Sequence, residues 1–479
     1  MATIERELRS ETHPDVATFE EVNRDVFRLL TPPGKGYVIL FVGVLAVLGF
    51  GIFAWMVQIV LGIGMSGLIN PVGWGVYITT FVFWVGIAHS GTLISAVLYL
   101  FRARWRQSIY RISEAMTVFA VMTAGLFPII HLGRPWIFYY LMPYPNQREL
   151  WPNFRSPLVW DVFAISTYLT VSATFFFIGM IPDIAAARDV ATVPWRKKLY
   201  SILSFGWRGT DQEWRHFSKA YLYLAALATP LVLSVHSVVS WDFAMGLVPG
   251  WHTTIFAPYF VAGAIFSGLA MVITIVVPVR KIFSLENYFT IKHFDAMAKL
   301  ILVTGMIVFY AYLTEYFIAW YSAETPERAA FWWRAFGDYW WATWIMLTCN
   351  GIIPQLLWFK KVRQSIPALF VITIFINIGM WFERFVIIIV SLSHEFEPWQ
   401  WRNYQPSWVE MAILAGSFAW FAMWFLLFLR LLPAVSVQEL KEVLPAPLRR
   451  ARVPAGHATR TKPVDNIGPG TDAGEERAR

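Results

Sequence analysis

The first long apolar stretch of the chain decides its fold class. Residues 37–62 read YVILFVGVLAVLGFGIFAWMVQIVLG and contain no charged side chain. One helix needs about 20 mostly apolar residues to cross the hydrocarbon core of a bilayer. Similar runs follow, so ten membrane-spanning helices are predicted, at about 37–62, 71–101, 111–131, 157–181, 217–240, 253–279, 296–320, 338–359, 366–391 and 408–430. Because no run alternates like a strand, we expect an all-α integral membrane protein.

Composition supports this assignment and limits the chemistry of the chain. Hydrophobic residues make up 57% of the 479 residues and charged residues 15%, whereas soluble domains carry about 25% charged residues. The net charge of +8 fits nucleic acid or an anionic membrane surface, and the hydropathy favours the lipid bilayer, with no nucleic-acid partner. The single cysteine, Cys349, is too few for an iron–sulfur cluster or a cysteine-based zinc site. We expect no metal, iron–sulfur cluster or haem on this chain, with one haem between His131 and His236 as the alternative.

Basic residues in the loops predict the orientation. The loops after the second, fourth, sixth and eighth spans are rich in Lys and Arg, and those poor in them lie at 132–156, 241–252, 321–337 and 392–407. Basic loops stay on the cytoplasmic side, so both termini should be cytoplasmic and the four poorly basic loops periplasmic or extracellular. Residues 1–36 would form a cytoplasmic N-terminal segment. Residues 431–479, which mix Pro, Gly, Arg and acids, would form a disordered or peripheral tail, free or docked to a partner.

Two glycine-containing stretches indicate an internal repeat. Gly86-Ile-Ala-His-Ser-Gly91 lies in the second span and Gly263-Ala-Ile-Phe-Ser-Gly268 in the sixth. The copies are four spans apart and therefore run in the same direction. They predict two four-helix bundles, 71–240 and 253–391, within a membrane domain at 37–430 that includes two flanking helices. Small residues are common in membrane helices, so chance similarity is the alternative.

Ionisable side chains inside the spans are few, and they indicate function because they are costly in lipid. Most belong to the periplasmic half of the predicted spans: His131, Asp161, His236, Asp242, Glu315, Glu383 and Arg384. His89 lies near the middle of the second span. The cytoplasmic half is expected to hold few ionisable groups, which leaves a proton path without obvious steps beyond His89.

A carboxylate and an imidazole near one membrane surface suit quinol oxidation, which releases two protons and two electrons. Bases within hydrogen-bond reach must accept the protons, and aromatic walls would hold the ring. We predict a catalytic set that consists of His131, Asp161, His236 and Asp242. The predicted quinol-binding set is Arg134, Tyr139, Trp160 and Tyr168. The alternative is an interfacial belt of aromatic and polar helix ends, with Arg134 in a loop salt bridge.

A polar path for protons is predicted from His89, Glu315, Glu383 and Arg384. Glu383 and Arg384 are adjacent and point about 100° apart on a helix, so each is expected to serve a different neighbour. The alternatives are that these two residues neutralise each other, that His89 bonds to a carbonyl group and that Glu315 is interfacial.

Several stretches together resemble a known family. The run His131-Leu-Gly-Arg-Pro-Trp136 resembles the signature of NrfD-like, polysulfide-reductase-type membrane subunits. The string from Tyr139 through Asn146 to Ser156-Pro-Leu-Val-Trp-Asp161 is similar to the ten-span branch of alternative complex III, and most similar to its quinol-binding subunit. Further matching stretches are Ser234–Phe243, Gly250–Phe256, Ile291–Asp295 and Gly379–Phe385. The resemblance covers about residues 35–430.

The resemblance implies a subunit with two four-helix bundles, two extra helices and no redox cofactor of its own. Menaquinol would bind as substrate near the periplasmic face, beside an extrinsic periplasmic iron–sulfur subunit. Electrons would pass to c-type haem subunits, and a second NrfD-like membrane subunit would share the complex. His131 and Asp161 would accept or relay quinol protons, while His236 and Asp242 would line the same pocket or its exit.

Other functions stay open at this point. Ten spans with a repeat are compatible with a secondary transporter, although no pair of spans shows a mid-helix break around a charged site. The chain could also be a structural anchor without quinone. A further alternative is the membrane anchor of a molybdenum-dependent reductase that runs quinone chemistry in reverse.

Overall fold

The computed structural model of the protein describes residues 19–30, 33–142 and 154–443. Within these ranges the regular secondary structure is helical and contains no strand, which confirms the all-α fold class. Residues 1–18, 31–32, 143–153 and 444–479 lie outside the described part. They include half of the expected N-terminal segment, most of the expected tail and part of the string that carries the family resemblance.

Nine helices in the described part of the chain are long and apolar enough to cross a membrane. They are α2 (Lys35–Leu61), α3 (Gly75–Leu100), α4 (Tyr110–His131), α5 (Pro157–Val190), α7 (Asp211–Ala244), α8 (Phe256–Ile282), α9 (Ile291–Ser322), α12 (Ile366–Ser393) and α13 (Trp408–Leu431). The shorter helices are α1 (Phe19–Phe27), α6 (Pro194–Leu203), α10 (Thr325–Phe336), α11 (Trp340–Met346) and α14 (Val437–Val443).

The expected span at 338–359 differs from the others. Helix α11 ends at Met346, a π-helical turn follows at Leu347–Ile352, and a 3₁₀ segment follows at Ile353–Trp358. Pro354 has no N–H to donate and cannot continue an α-helical ladder. The described residues therefore contain nine candidate spans where ten were predicted.

Proline and capping residues explain where several spans begin. Pro157 occupies the first turn of α5, where a missing N–H costs nothing. Thr210 and Glu213 form a reciprocal capping box at the start of α7, and Ser407 and Glu410 do the same for α13. These signals fix the depth at which the polar side chains of α5 and α7 lie.

Helix α3 is the most buried span, and it packs against α4 and α8. Helix α5 packs along α7, while α8 also contacts α7, α9 and α12. Helix α2 is mostly exposed and pairs with α13 at the edge. The two glycine-containing stretches meet where α3 faces α8: a Cβ on Gly86 would lie 3.6 Å from Ser267 Oγ, and one on Gly268 would lie 2.6 Å from Ser90 Cβ. Small residues thus permit the close approach of these helices.

A methyl group at Gly91 should be destabilising. A Cβ there would overlap Thr117 Oγ1 and the Ser113 carbonyl oxygen and would lie 2.8 Å from the Ser113 carbonyl carbon, so the backbone of α4 would have to move. We expect Gly91→Ala to cost about 1–3 kcal/mol, measured as a lower unfolding temperature of the purified protein. Gly43→Ala is the control, because no heavy atom lies within 4 Å of its Cβ. Equal stability of the two variants would contradict this packing.

Candidate functional site

We call the two opposite ends of the membrane domain the proximal face and the distal face. The proximal face carries α1 and α14, and the distal face carries α10 and residues 394–407. The predicted site residues of α5 and α7 lie toward the distal face, since α5 begins there and α7 ends there.

Asp161 and Asp242 lie together near the distal face. Asp161 stands one turn inside the start of α5 and Asp242 in the last turn of α7. Their carboxyl groups interact directly, and one oxygen of each is buried without a hydrogen-bond partner. Two adjacent carboxylates repel each other, and one shared proton removes this repulsion. Two carboxyl groups in this arrangement can bind one proton between them.

Trp160 and Trp241, each next to one aspartate in the sequence, contact each other, and Trp241 lines a cavity. The rings of Trp160 and Trp241 meet edge to face with centroids 5.9 Å apart. A cavity of about 370 Å³ lies next to Trp241, and its lining residues are Trp241, Ala244, Met245, His252, Thr253, Thr254 and Ala257. Apolar walls with a few polar groups are typical of small-molecule sites. The sequence predicted Trp160 for this site but gave no role to Ala257 or His252.

His236 contacts His89 and lies farther from the distal face than Asp242. The two imidazole rings are 4.6 Å apart, and the His89 ring stacks on Tyr168 at 5.1 Å. His236 precedes Asp242 by six residues, which is about 9 Å along a helix. The structure thus places His236 with the inner polar residues and not beside the aspartate pair.

Most ring nitrogens of His89 and His236 have no hydrogen-bond partner. His89 Nδ1 lies 2.6 Å from the Val85 carbonyl oxygen, to which it donates, as the carbonyl alternative predicted. His89 Nε2 and both ring nitrogens of His236 are buried without hydrogen-bond partners. The Tyr168 hydroxyl bonds to Thr92 at 2.7 Å and to the Ala88 carbonyl oxygen at 3.1 Å, so it is a polar neighbour of this pair.

Arg384 and Glu383 pair with each other, contrary to the expectation that each serves a different neighbour. Arg384 Nη1 lies 2.7 Å from Glu383 Oε1, and both side chains are buried. Their backbone directions diverge, but long side chains close the gap in the low-dielectric interior. The Tyr312 hydroxyl donates to Glu383, and Asn350 Nδ2 donates to that hydroxyl at 2.9 Å.

The ring of Phe260 connects this ion pair to the imidazoles. The Arg384 guanidinium lies 4.2 Å from its centroid, and the His236 ring lies 5.7 Å from it. Glu315 is one turn from Tyr312, is buried, and leaves Oε1 without a partner. Arg334 lies near Glu315 and donates to Ser391 Oγ at 2.8 Å. Sequence reasoning had counted Arg334 as a loop residue.

π-helical turns accompany these polar groups. One at Leu93–Val97 follows His89, one at Val386–Val390 follows Arg384, and one at Leu347–Ile352 contains Asn350. Such turns are rare and frequently mark functional sites. Each of these three turns thus contains or follows a residue of the buried polar groups.

The remaining predicted residues lie elsewhere on the distal side. The His131 ring meets Tyr77 edge to face at 6.4 Å, and the Tyr77 hydroxyl donates to Gln58. Gln58 was missed, although it is the single amide in the run 37–62. Arg134 and Tyr139 are exposed at the distal face, where Tyr139 stacks on Tyr140 at 4.6 Å.

The expected shortage of ionisable groups in the other half of the membrane is wrong. Arg111, Glu114 and Asp183 are buried in α4 and α5 near the proximal face. The predicted spans began at 111 and stopped at 181, so Arg111 was taken as a loop residue and Asp183 fell outside. Helix α5 continues through Pro182 to Val190, and the Arg111–Glu114 spacing of three residues was the available signal.

Three known proteins are similar to this chain in sequence. The chain is 26% identical over 364 residues to a putative membrane subunit of dimethyl sulfoxide reductase from Halobacterium salinarum, covering 73% of this chain and 75% of the relative. It is 23% identical to a selenate reductase subunit from Mesobacillus selenatarsenatis, covering 64% and 71%. It is 20% identical to the Hdr-like menaquinol oxidoreductase integral membrane subunit of Archaeoglobus fulgidus, covering 50% and 49%.

The family model described as polysulphide reductase, NrfD, matches residues 64–394. This range is more than half of the chain and contains the aspartate pair, the imidazoles and the Glu383–Arg384 ion pair. The chain is therefore a multi-pass membrane protein that belongs to the NrfD polysulphide reductase family.

Proposed function

We propose that this chain is the quinol-oxidising membrane subunit of a multi-subunit menaquinol:acceptor oxidoreductase of the alternative complex III type. The observation that carries the proposal is the Asp161–Asp242 pair near the distal face, where Trp241, the residue before Asp242, lines a cavity. A menaquinol-related relative supports the substrate class.

The aspartate pair would accept the proton of a quinol hydroxyl. Oxidation of one quinol to quinone releases two protons and two electrons, and a carboxylate within hydrogen-bond reach lowers the barrier to proton loss. Trp160 and Trp241 would hold the ring. His131 would relay the second proton, and Arg134 and Tyr139, both exposed, would contact the quinone or a partner at the distal surface.

The electrons would leave through other chains. An extrinsic iron–sulfur subunit would dock at the distal face, with c-type haem subunits beyond it and a second NrfD-like membrane subunit beside this one. Under this proposal the distal face is periplasmic, the proximal face with both termini is cytoplasmic, and the membrane is the bacterial inner membrane.

A proton path would connect the imidazoles of His89 and His236 to the Glu383–Arg384 ion pair. Tyr168, His89 and His236 would relay protons toward Arg384 and Glu383, and Glu315 would continue the path to the distal side. We also propose that residues 340–358 make a tenth crossing. Arg363, just after it, bonds Asp295 near the start of α9, whereas Arg334, just before it, bonds Ser391 at the end of α12. The chain must cross between these two levels.

Filling the cavity tests the proposal. We expect Ala257→Trp to remove most of the quinone that can be extracted with lipid solvent from the purified assembly, because the indole would occupy the cavity. Leu247→Trp is the control, since Leu247 is 84% exposed and does not line the cavity. Equal quinone content in both variants would place the quinol elsewhere.

The names of two relatives favour a second candidate, the membrane anchor of a dimethyl sulfoxide or selenate reductase. A reductase consumes electrons, so the same site would again oxidise quinol there, and the reverse direction considered from the sequence would not apply. Quinol-dependent reduction of cytochrome c by the purified assembly, without reduction of dimethyl sulfoxide or selenate, would favour the first candidate. The reverse result would favour the second.

A further inference from the structure

A group of buried and half-buried charges at the proximal end plays no part in the proposed quinol chemistry. It comprises Arg106, Arg111, Glu114, Asp183 and Glu439, which we call the proximal cluster. Arg111, Glu114 and Asp183 are each at most 3% exposed. Glu439 comes from α14, so the first residues of the expected tail pack against the membrane domain. Ala434, Val435, Val437 and Leu440 are buried there as well.

Two of the three carboxylates are closely paired. Arg111 Nη2 donates to Asp183 Oδ2 at 2.9 Å, and the other oxygen of Asp183 accepts from the backbone N–H of Gln438 at 3.1 Å. Arg106 Nη2 donates to Glu439 Oε1 at 3.0 Å. Each of these carboxylates therefore has a guanidinium hydrogen bond that stabilises its charged form.

Glu114 is the least compensated carboxyl group of the cluster. Its Oε2 lies 3.7 Å from Arg111 Nη1, beyond hydrogen-bond distance, and this buried oxygen has no hydrogen-bond partner. Its Oε1 accepts only from the neutral Tyr221 hydroxyl, at 3.2 Å. The nearby space is also limited, because a Cβ on Gly179 would lie 3.1 Å from Arg111 Nη1 and 3.2 Å from the Tyr221 ring.

The charges of the cluster do not balance. Two guanidinium groups face three carboxyl groups, and the other titratable neighbours are the phenols of Tyr110 and Tyr221 and the ammonium of Lys441. Partial burial lowers the pKa of Lys441, while the negative charge of Asp183 acts in the opposite direction, so this lysine is a counter-charge to Asp183. The charged groups that act on Glu114 are Arg111, Glu439 and Arg106. An uncompensated buried carboxylate is costly, and one bound proton removes the excess negative charge.

We propose that Glu114 is a proton-binding site at the proximal end of the membrane domain, completed by Glu439 from the C-terminal helix. The proton sits on a carboxyl oxygen of Glu114, and Tyr221 donates to the other oxygen. Glu439 contributes the third negative charge, which makes the bound proton favourable. Helix α14 covers the cluster, so it also separates this proton from bulk water.

Hydroxyl groups lead from Glu114 toward the imidazoles. Thr117 lies one turn farther along α4, and its hydroxyl donates to the Ala88 carbonyl oxygen at 2.7 Å. The Tyr168 hydroxyl donates to the same oxygen at 3.1 Å, and its ring stacks on His89. These hydroxyl groups would extend the proposed proton path to the proximal end, and this extension rests on the path proposed above. Proton binding at Glu114 does not require quinol turnover.

Infrared difference spectroscopy of the purified full assembly, recorded without quinol between low and high pH, tests the site. We expect one C=O band of a protonated carboxyl group that is lost in Glu114→Gln. In Tyr221→Phe the band should move to higher frequency, because the hydroxyl no longer donates to the carboxyl group. In Glu439→Gln it should weaken, since two guanidinium groups then face two carboxyl groups.

Glu213→Gln is the control, because Glu213 is an exposed carboxylate of the α7 capping box, and its spectrum should match the wild type in this band. A band that survives Glu114→Gln, or that Tyr221→Phe does not shift, would overturn the proposal. Should Glu114→Gln fail to assemble, the milder Tyr221→Phe decides alone. Loss of the band with normal turnover, or the reverse, separates this site from the quinol site.

Discussion

Asp161→Asn should lower quinol-dependent reduction of an external acceptor by about 10²-fold or more, while the assembly stays intact. An amide has nearly the same shape but cannot accept the proton of a quinol hydroxyl, and loss of a general base typically costs 10²–10⁴-fold. The measurement is the turnover of the purified native assembly with menaquinol. The partner carboxyl of Asp242 is still present in this variant, but the shared-proton arrangement is lost.

Two comparisons make this result specific. Asp189 lies on the same helix and is exposed, so the control variant Asp189→Asn should keep full turnover. If Asp161 and Asp242 act as one unit, Asp161→Asn/Asp242→Asn should be hardly slower than either single variant. Full turnover of Asp161→Asn would move the quinol site off this pair and would favour a structural anchor.

Arg384→Met should destabilise the protein by about 3–5 kcal/mol, because it leaves Glu383 as an unpaired charge in the interior. The pair is tightly packed: Arg384 lies on the Phe260 ring, and Glu383 accepts from Tyr312. A lower unfolding temperature of the purified assembly, or lower yield of intact assembly, measures the effect. Arg328→Met removes an exposed arginine of α10 and should have little effect.

The double variant Glu383→Gln/Arg384→Met distinguishes a stability role from a role in the proton path. It removes both charges and keeps an acceptor for Tyr312, so most of the stability should return. If the pair also carries protons, the double variant should fold and still fail to translocate them in proteoliposomes. A double variant as unstable as Arg384→Met would show that the pairing is not what stabilises this region.

The position of His236 illustrates a limit of sequence reasoning. His236 and Asp242 are close in sequence, so both were assigned to one site near a membrane surface. The six-residue spacing along α7 places them at two depths, and only the packing of α3 and α5 shows which neighbours each one meets. Spacing along one helix gives depth and direction but not the identity of the opposing helix.

The proximal cluster illustrates a second limit. Hydropathy windows end where charged residues begin, so Arg111 and Asp183 were assigned to loops although their helices continue. Charges that are paired across helices can be buried at a helix end, and pairing between α4, α5 and α14 depends on residues more than 250 positions apart. No local pattern reports such contacts.

The amino-acid sequence alone predicts the membrane environment, the all-α class, nine of the candidate spans and the identity of most polar residues inside them. It could do so because the bilayer imposes a length and a composition on each helix independently of the others. The tertiary structure alone decided which polar groups meet: Asp161 with Asp242, His89 with His236, and Glu383 with Arg384. These contacts depend on how helices that are distant in sequence rotate and pack against one another, and hydropathy carries no information about that.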